Sequence, residues 1–537
     1  MVWHQIDRRW FWLFFIALMG LAIVLAMTGH IFLDEPDDPY LRLYFLNGDA
    51  RTHIMSMPMG RVMADLYGRF PDVPWISWLF IGVYTIIAAL YAAYVAAIGD
   101  KFLRIVLTIL GALMALYLLM RMSITILTLT LVVVAMPLLS VSLAAFFTLT
   151  TLAVLLRDDI VVTSVPFFVV AFLLIDKKRP TWRELSLSLP FIVAILLIIF
   201  APHEDGTYER WLGFNDARAY FKDFDAPPKN GALGQDEMRI ARSWFIQDEA
   251  LVPADKMIEA SGGLSDVIAH DLSTMTIRSA LGLLKGRIEV LIFILFSIIM
   301  YFYCKKRRLL LLYLIYFGGL YLLFIVRNVD RVIIPLLLLW FTVLFLDFYR
   351  SRSIEMARLL SFFFVIAILF HFHFGFHRHS DERVALRDEM FTLLSHHPEK
   401  MVEPSLGFPT NIRGKLMAAF SQNALFREKE WISTYILPAG WMSRSPLFYK
   451  THDITFGGVK RKYRDYHEYL TSPRASFIGT KTLNTVFVER VLHLYDRIYC
   501  HSRKCRHVVQ KLDCSRHFCL YRVRMIFDRL DDHRPKR

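Results

Sequence analysis

Two adjacent carboxylates, Asp37 and Asp38, stand in the run Asp34-Glu35-Pro36-Asp37-Asp38-Pro39-Tyr40-Leu41-Arg42, just beyond an apolar stretch from Trp10 to Phe32. Neighbouring carboxylates repel. One then holds its proton more firmly and leaves a base beside an acid, or the two jointly hold a divalent cation such as Mg2+ or Mn2+, with Asp37 the candidate ligand. Either arrangement suits chemistry on a phosphate-linked substrate at a lipid surface. Arg42, Arg51 and His53 follow closely and offer a phosphate its counter-charges, their bland alternative being charge balance for the acids.

A second group of polar and aromatic residues lies at Phe214-Asn215-Asp216-Ala217-Arg218, with Trp211, Tyr220, Phe221 and Phe224 around it. Those rings either stack on sugar or, more simply, sit in a membrane interface. Arg218, and Arg331 in Arg327-Asn328-Val329-Asp330-Arg331, are further candidate phosphate contacts. Near the C-terminus, Cys500, Cys505, Cys514 and Cys519 are spaced C-x4-C-x8-C-x4-C, with His501, His507 and His517 interleaved. An even number of cysteines outside the cytoplasm favours two disulfides, with three connectivities open, and zinc is the alternative, although the usual C-x2-C spacing is missing. Cys304 reads as a free thiol. The histidines at 371, 373, 377 and 379 alternate with phenylalanines and read as a boundary cluster without a metal role.

These residues need elements to position them. Hydrophobic residues make up 55% of the 537, more than a soluble core hides. They come in blocks of bilayer length, near 10–32, 76–98, 102–120, 160–176, 184–201, 287–303, 309–326, 332–348 and 357–374. The stretch 123–156 is too long for one crossing, and Pro137 predicts a hairpin of two short helices. The fold class expected is therefore α: a polytopic membrane helix bundle of about eleven transmembrane helices. Lys101 with Arg104, Lys177-Lys178-Arg179, Lys305-Lys306-Arg307-Arg308, and Arg350 with Arg352 all fall inside if the N-terminus is cytoplasmic. That leaves outside a first loop at about 33–75, a loop at about 203–286 and the tail. The domains expected are 1–376, the transmembrane region, and 377–537, a basic extramembrane region with an amphipathic helix such as Leu483–Tyr495 against acidic headgroups. The net charge of +14 sits in short clusters beside apolar runs and gives no reason to expect nucleic acid.

The order Asp37-Asp38, Gly48, His53, Gly60, Leu66-Tyr67, Phe70-Pro71 and Pro74-Trp75 resembles bacterial multi-spanning membrane proteins of GT-C glycosyltransferase type. Phe214-Asn215-Asp216-Ala217-Arg218 followed by Asp223-Phe224, then Trp244-Phe245 before Asp248, is similar to a motif of the same group, as is Arg327-Asn328-Val329-Asp330-Arg331. The resemblance implies a GT-C-like fold over roughly 1–375 and transfer of a sugar from a polyprenyl-phosphate donor to a cell-surface glycan or lipid acceptor. The setting implied is the outer face of a bacterial cytoplasmic membrane. The base or metal ligand then falls to Asp38 or Asp37. The alternatives are an exporter of lipid-linked glycans and a surface-polysaccharide polymerase or ligase. Spans nearly free of mid-membrane charge, and the lack of an internal repeat, weigh against transport. No Walker loop, dinucleotide fingerprint or His-Glu-x-x-His motif is present, so ATP hydrolysis and zinc-protease chemistry have no support.

Overall fold

A computed structural model describes residues 6–28, 38–52, 54–158, 181–199, 206–222, 226–229, 233–242, 248–263, 330–350, 353–375, 380–397, 401–407, 444–454, 462–482, 487–500 and 505–527, with single positions at 31, 246, 266, 269, 270, 273, 302 and 311. The spans expected near 160–176, 287–303 and 309–326 lie outside the described residues, apart from 302 and 311. The chain divides into two compact units, one of 1–202, 274–380 and 421–429, the other of 203–273, 381–420 and 430–537.

The first unit is helical. Among its described residues, three helices are long and apolar enough to cross a membrane: α1 (Arg8–Met27), α4 (Trp75–Ala96) and α5 (Lys101–Met120). Between α1 and α4 stand the short helices α2 (Asp38–Leu46) and α3 (Met57–Arg69). Hydroxyl groups cross-link the long helices: Tyr84 donates to the Leu18 carbonyl at 3.0 Å and Tyr91 to that of Leu107 at 2.9 Å. The stretch 123–156 is a hairpin, α6 (Ile124–Ala135) and α7 (Leu143–Leu156), joined through a 3-10 turn at Met136–Ser140 that contains Pro137. Every residue of α6 is buried, as an apolar helix without a polar face requires. The helices α8 (Trp182–Ile199), α12 (Asp330–Arg350) and α13 (Ile354–Gly375) complete the described part of this unit.

Charged caps gather at one end. Asp7 caps α1 through the Trp10 amide and pairs with Arg104 at 3.1 Å. Asp100 caps α5 through the Leu103 amide and pairs with Arg358 of α13 at 2.6 Å, and that guanidinium holds the Asp100 carboxyl below its ordinary range. The starts of α1, α5 and α13 therefore share one end of the unit, where Arg8, Arg9 and Lys101 also lie.

The second unit mixes helix and sheet, and the sheet departs from the expected fold class of α. Helices α9 (Gly206–Lys222), α10 (Gln235–Arg242) and α11 (Ala254–Ala260) come from the second loop. The helices α14 (Ser380–Ser395), α15 (Pro446–Thr451) and α16 (Tyr466–Leu470) come from the tail. So do the strands β1 (Met401–Gly407), β2 (Ala475–Thr480), β3 (Cys505–Cys514) and β4 (Phe518–Phe527), which form one sheet in the order β1-β2-β4-β3. β1 runs parallel to β2 and the other pairs are antiparallel. Burial alternates at the start of β3, where Cys505 and His507 are buried and Arg506 is exposed, the period of two that a half-buried strand imposes. Of the amphipathic helix expected over 483–495, residues 483–486 lie outside the described residues, and 487–500 are helical, with π-turns at Phe487–Val491 and Asp496–Cys500 flanking the α-turn α17 (Leu492–Tyr495).

Disulfides join Cys500 to Cys505 and Cys514 to Cys519, which selects one of the three connectivities. The second pair closes the β3–β4 hairpin at directly opposed positions. Its turn docks on α14: Glu389 accepts from the Ser515 hydroxyl at 2.6 Å and from the His517 amide at 2.5 Å.

Candidate functional site

The segment between α1 and α4 folds around two glycines. α2 ends at Gly48, which has a φ of 71°. Its amide donates to the Phe45 carbonyl at 3.0 Å, and the Asp49 amide to that of Tyr44 at 2.9 Å, the helix-ending pattern that calls for a residue without a β-carbon. The chain then turns through Asp49, which accepts the Arg51 amide at 3.0 Å, and Thr52, whose hydroxyl oxygen accepts the Met55 amide at 2.9 Å. Gly60, in the first turn of α3, lies so close to the loop that a β-carbon there would stand 2.0 Å from the Ala50 carbonyl oxygen. Ser56 ties this assembly to α7 by donating to the Leu155 carbonyl at 2.7 Å, and Tyr67 ties it to α4 by accepting the Ile76 amide at 3.1 Å. Phe45 stacks on Tyr67 with ring centroids 6.1 Å apart. Of the residues quoted for the resemblance, Gly48, Gly60, Tyr67 and Pro71 each have a defined job in holding this loop.

Arg42 is the charged residue this architecture encloses. It is 3% exposed. Its Nη2 donates to the Pro71 carbonyl at 3.1 Å, and its guanidinium lies 6.0 Å from the centre of the Tyr67 ring. Among the described residues, neither Nε nor Nη1 has a hydrogen-bond partner. Two unmade bonds on a buried cation are costly, and a group of this kind calls for a partner beyond those the described residues supply. Asp38 is the first residue of α2, four positions before Arg42 and so on the same face of that helix. The Asp38 and Arg331 side chains, and Asp37 and His53 altogether, lie outside the described residues. Arg51 faces Asp49 at 3.7 Å, which is the charge-balance role.

The second loop departs from both sequence readings of its aromatics. Trp211, Phe214, Tyr220 and Phe221 are buried in the core of the second unit, neither interfacial nor open to a sugar. Arg218 is buried with them, its Nε donating to Asn215 Oδ1 at 3.0 Å. Phe224, Trp244 and Phe245 lie outside the described residues.

Arg444 explains why loop and tail form one unit. It is buried, its guanidinium 4.7 Å from the centre of the Phe214 ring. Its Nε donates to the Ile246 carbonyl at 2.6 Å and its Nη2 to that of Asp248 at 2.9 Å and to that of Val252. The backbone at Arg444 has a φ of 74°, a conformation that costs a side-chain-bearing residue about 1–2 kcal/mol and is kept because these bonds offset it. Burial pushes the Asp248 carboxyl up, against the Ala250 amide and the Arg444 charge.

A third cluster escaped the sequence reading. His507 Nδ1 stands 2.7 Å from Asp496 Oδ1, which also accepts the His507 amide at 2.6 Å. His507 Nε2 stands 2.8 Å from His467 Nε2, and the His467 ring stacks on Tyr499 at 3.6 Å. Burial first, and the His507 ring second, bring His467 down to about 4. The His467 imidazole is therefore neutral at ordinary pH, and a single hydrogen bond joins its Nε2 to that of His507, whose Nδ1 faces the Asp496 carboxylate. His467 and Asp496 meet His507 only through the folding of α16, β3 and the turns before Cys500, and the sequence carries no spacing signal for such a meeting. An open cleft of roughly 670 Å³ exposes this place, lined by Val488, Leu492, His493, Asp496, His507, Val508 and Val509.

Comparison with protein-family models, with curated proteins and with solved structures finds no match to this chain.

Proposed function

We propose that the chain is a membrane glycosyltransferase of GT-C type, transferring a sugar from a polyprenyl-phosphate-linked donor to a cell-surface glycan or lipid at the outer face of a bacterial cytoplasmic membrane. In this reading about eleven spans place the N-terminus in the cytoplasm and the tail outside. The gathering of Arg8, Arg9, Lys101, Arg104 and Arg358 at one end supports that orientation. The exposed apolar faces of α1 (Trp12, Leu13, Ile16) and of α8 (Leu187, Leu197) support lipid contact.

The observation that carries the reading is the enclosed Arg42 guanidinium, whose Nε and Nη1 have no hydrogen-bond partner among the described residues, on the short helix that Asp38 opens. Asp38 takes the acceptor's proton as its oxygen attacks the anomeric carbon, and the Arg42 cation steadies the departing lipid phosphate. Inversion at the anomeric carbon follows from a single displacement. A divalent cation at Asp37 would share the phosphate charge.

The test is the mass spectrum of surface glycans and glycolipids in a deletion strain complemented with wild type, Asp38→Asn or Arg42→Met at matched membrane abundance. Loss of a defined sugar that wild type restores and neither variant restores supports the transferase. Full restoration by Asp38→Asn removes that residue as base and moves export or polymerisation ahead.

A further inference from the structure

The Asp496–His507 pair lies beside one of the two disulfides. Cys500 Sγ is 3.9 Å from His507 Nδ1, and one donor atom from each of Asp496, Cys500 and His507 falls within 4.8 Å of the other two. Cys505 is bonded to Cys500, so its sulfur belongs to the same small volume. Asp496, Cys500, Cys505 and His507 together offer one carboxylate, two sulfurs and one imidazole within twelve residues. While the sulfurs are bonded to each other they are poor ligands, and the carboxylate and imidazole satisfy each other by hydrogen bonding.

We propose that the Cys500–Cys505 disulfide masks a zinc site, which forms when the bond is reduced. A dithiol reductant supplies two electrons and two protons, becoming a disulfide itself, and leaves two thiols. Zinc then displaces both thiol protons; the proton on His507 Nδ1 is replaced by one on Nε2, donated to His467 Nε2, and His467 carries its own proton on Nδ1, so two protons leave in all. The zinc is held by Cys500 Sγ, Cys505 Sγ, His507 Nδ1 and an Asp496 oxygen, while the His507 amide keeps its bond to Asp496.

Three observations support this set. Tetrahedral zinc with bonds of about 2.0–2.3 Å sets its ligand atoms roughly 3.4–3.8 Å apart, close to the present 3.9 Å between Sγ and Nδ1. The outer shell is already in place, because the free nitrogen of a zinc-bound imidazole normally donates to a fixed acceptor, and His467 Nε2 stands 2.8 Å from His507 Nε2. An ion also has a way in, since Asp496 and His507 line the open cleft.

The full chain in detergent, reduced with a phosphine, is titrated with Co2+ as a spectroscopic substitute for zinc. Expected is one cobalt per chain with a thiolate-to-cobalt charge-transfer band, present after reduction and absent before it. The band is expected to persist in Cys514→Ser/Cys519→Ser and to vanish in Cys500→Ser/Cys505→Ser. Asp496→Asn and His467→Ala each leave the disulfide intact, and each is expected to weaken cobalt binding by about 10- to 100-fold after reduction. Absence of the band in reduced wild type overturns the proposal, as does its survival in Cys500→Ser/Cys505→Ser. Should that double variant not be recovered folded, wild-type affinity in both Asp496→Asn and His467→Ala overturns it equally.

Discussion

Replacing Gly60 with alanine tests whether the first loop is built by a close backbone approach. The added methyl would stand 2.0 Å from the Ala50 carbonyl oxygen, whereas a carbon and a carbonyl oxygen in contact keep about 3.3 Å or more. Backbone must therefore move by more than about 1 Å, because the obstacle is main chain and not a flexible side-chain end. Overpacking of this kind costs about 1–3 kcal/mol. Gly68 lies on the same helix, is exposed, and has open space where its methyl would go. There the substitution only removes glycine's entropic cost, and Gly68→Ala should stabilise α3 by about 0.5–1 kcal/mol. Native-state hydrogen exchange of the amides in 49–52 and in α3 separates the two. Gly60→Ala should speed local exchange by about 5- to 150-fold, and Gly68→Ala should slow it by about 2- to 5-fold. If Gly60→Ala exchanges like wild type, the approach of α3 to Ala50 does not build the loop, and the enclosure of Arg42 loses its explanation.

Arg444→Met leaves the Ile246, Asp248 and Val252 carbonyls without their donor and should destabilise the second unit by about 3 kcal/mol or more. Limited proteolysis in the 246–252 segment should accelerate accordingly, and an unchanged cleavage rate would sink the idea that Arg444 staples loop to tail. His467 titrates lower in the folded chain, at about 4, than its ordinary 6.5, so the folded state binds fewer protons. Its contribution to stability is complete above about pH 6.5 and is lost as the pH falls from there toward 4. Unfolding midpoints measured across that range should fall for wild type and flatten for His467→Gln; parallel curves would refute it. In a Cys304→Ser background, Lys256→Cys and Arg516→Cys should react with a membrane-impermeant maleimide from the same side of sealed vesicles, and opposite-side labelling would contradict their membership of one folded unit.

The apolar elements were legible in the sequence because a long helix solvated by lipid needs only length and hydropathy to declare itself. The hairpin at Pro137 could be read for the same reason: 34 consecutive residues cannot be one crossing. The sheet was not legible. β3 carries Arg506, Gln510, Lys511 and Asp513 among its apolar residues, so its alternation was hidden behind a composition that reads as a basic tail. Trp211, Phe214 and Phe221 were misassigned because an aromatic cluster next to apolar runs looks interfacial, and the cation that covers Phe214, Arg444, lies more than 200 residues later. In the first loop Arg42 was among several charged residues of equal standing. Its burial depends on Tyr67 and the Pro71 carbonyl, and spacing alone does not say that those two close over it.

The packing of the second loop against the tail constrains the rest of the chain more tightly than either segment does alone. Arg444 reaches three carbonyls between 246 and 252, and these contacts form only if both segments fold in the same compartment. Any membrane crossed between residues 273 and 381 must therefore be crossed an even number of times. The four spans read from the sequence at 287–303, 309–326, 332–348 and 357–374 meet that requirement, and a count of three or five does not. Two disulfides in the same unit persist where thiols are oxidised. Within the first unit, the start of α13 shares an end with the starts of α1 and α5, and the cations Arg8, Arg9, Lys101, Arg104 and Arg358 gather there.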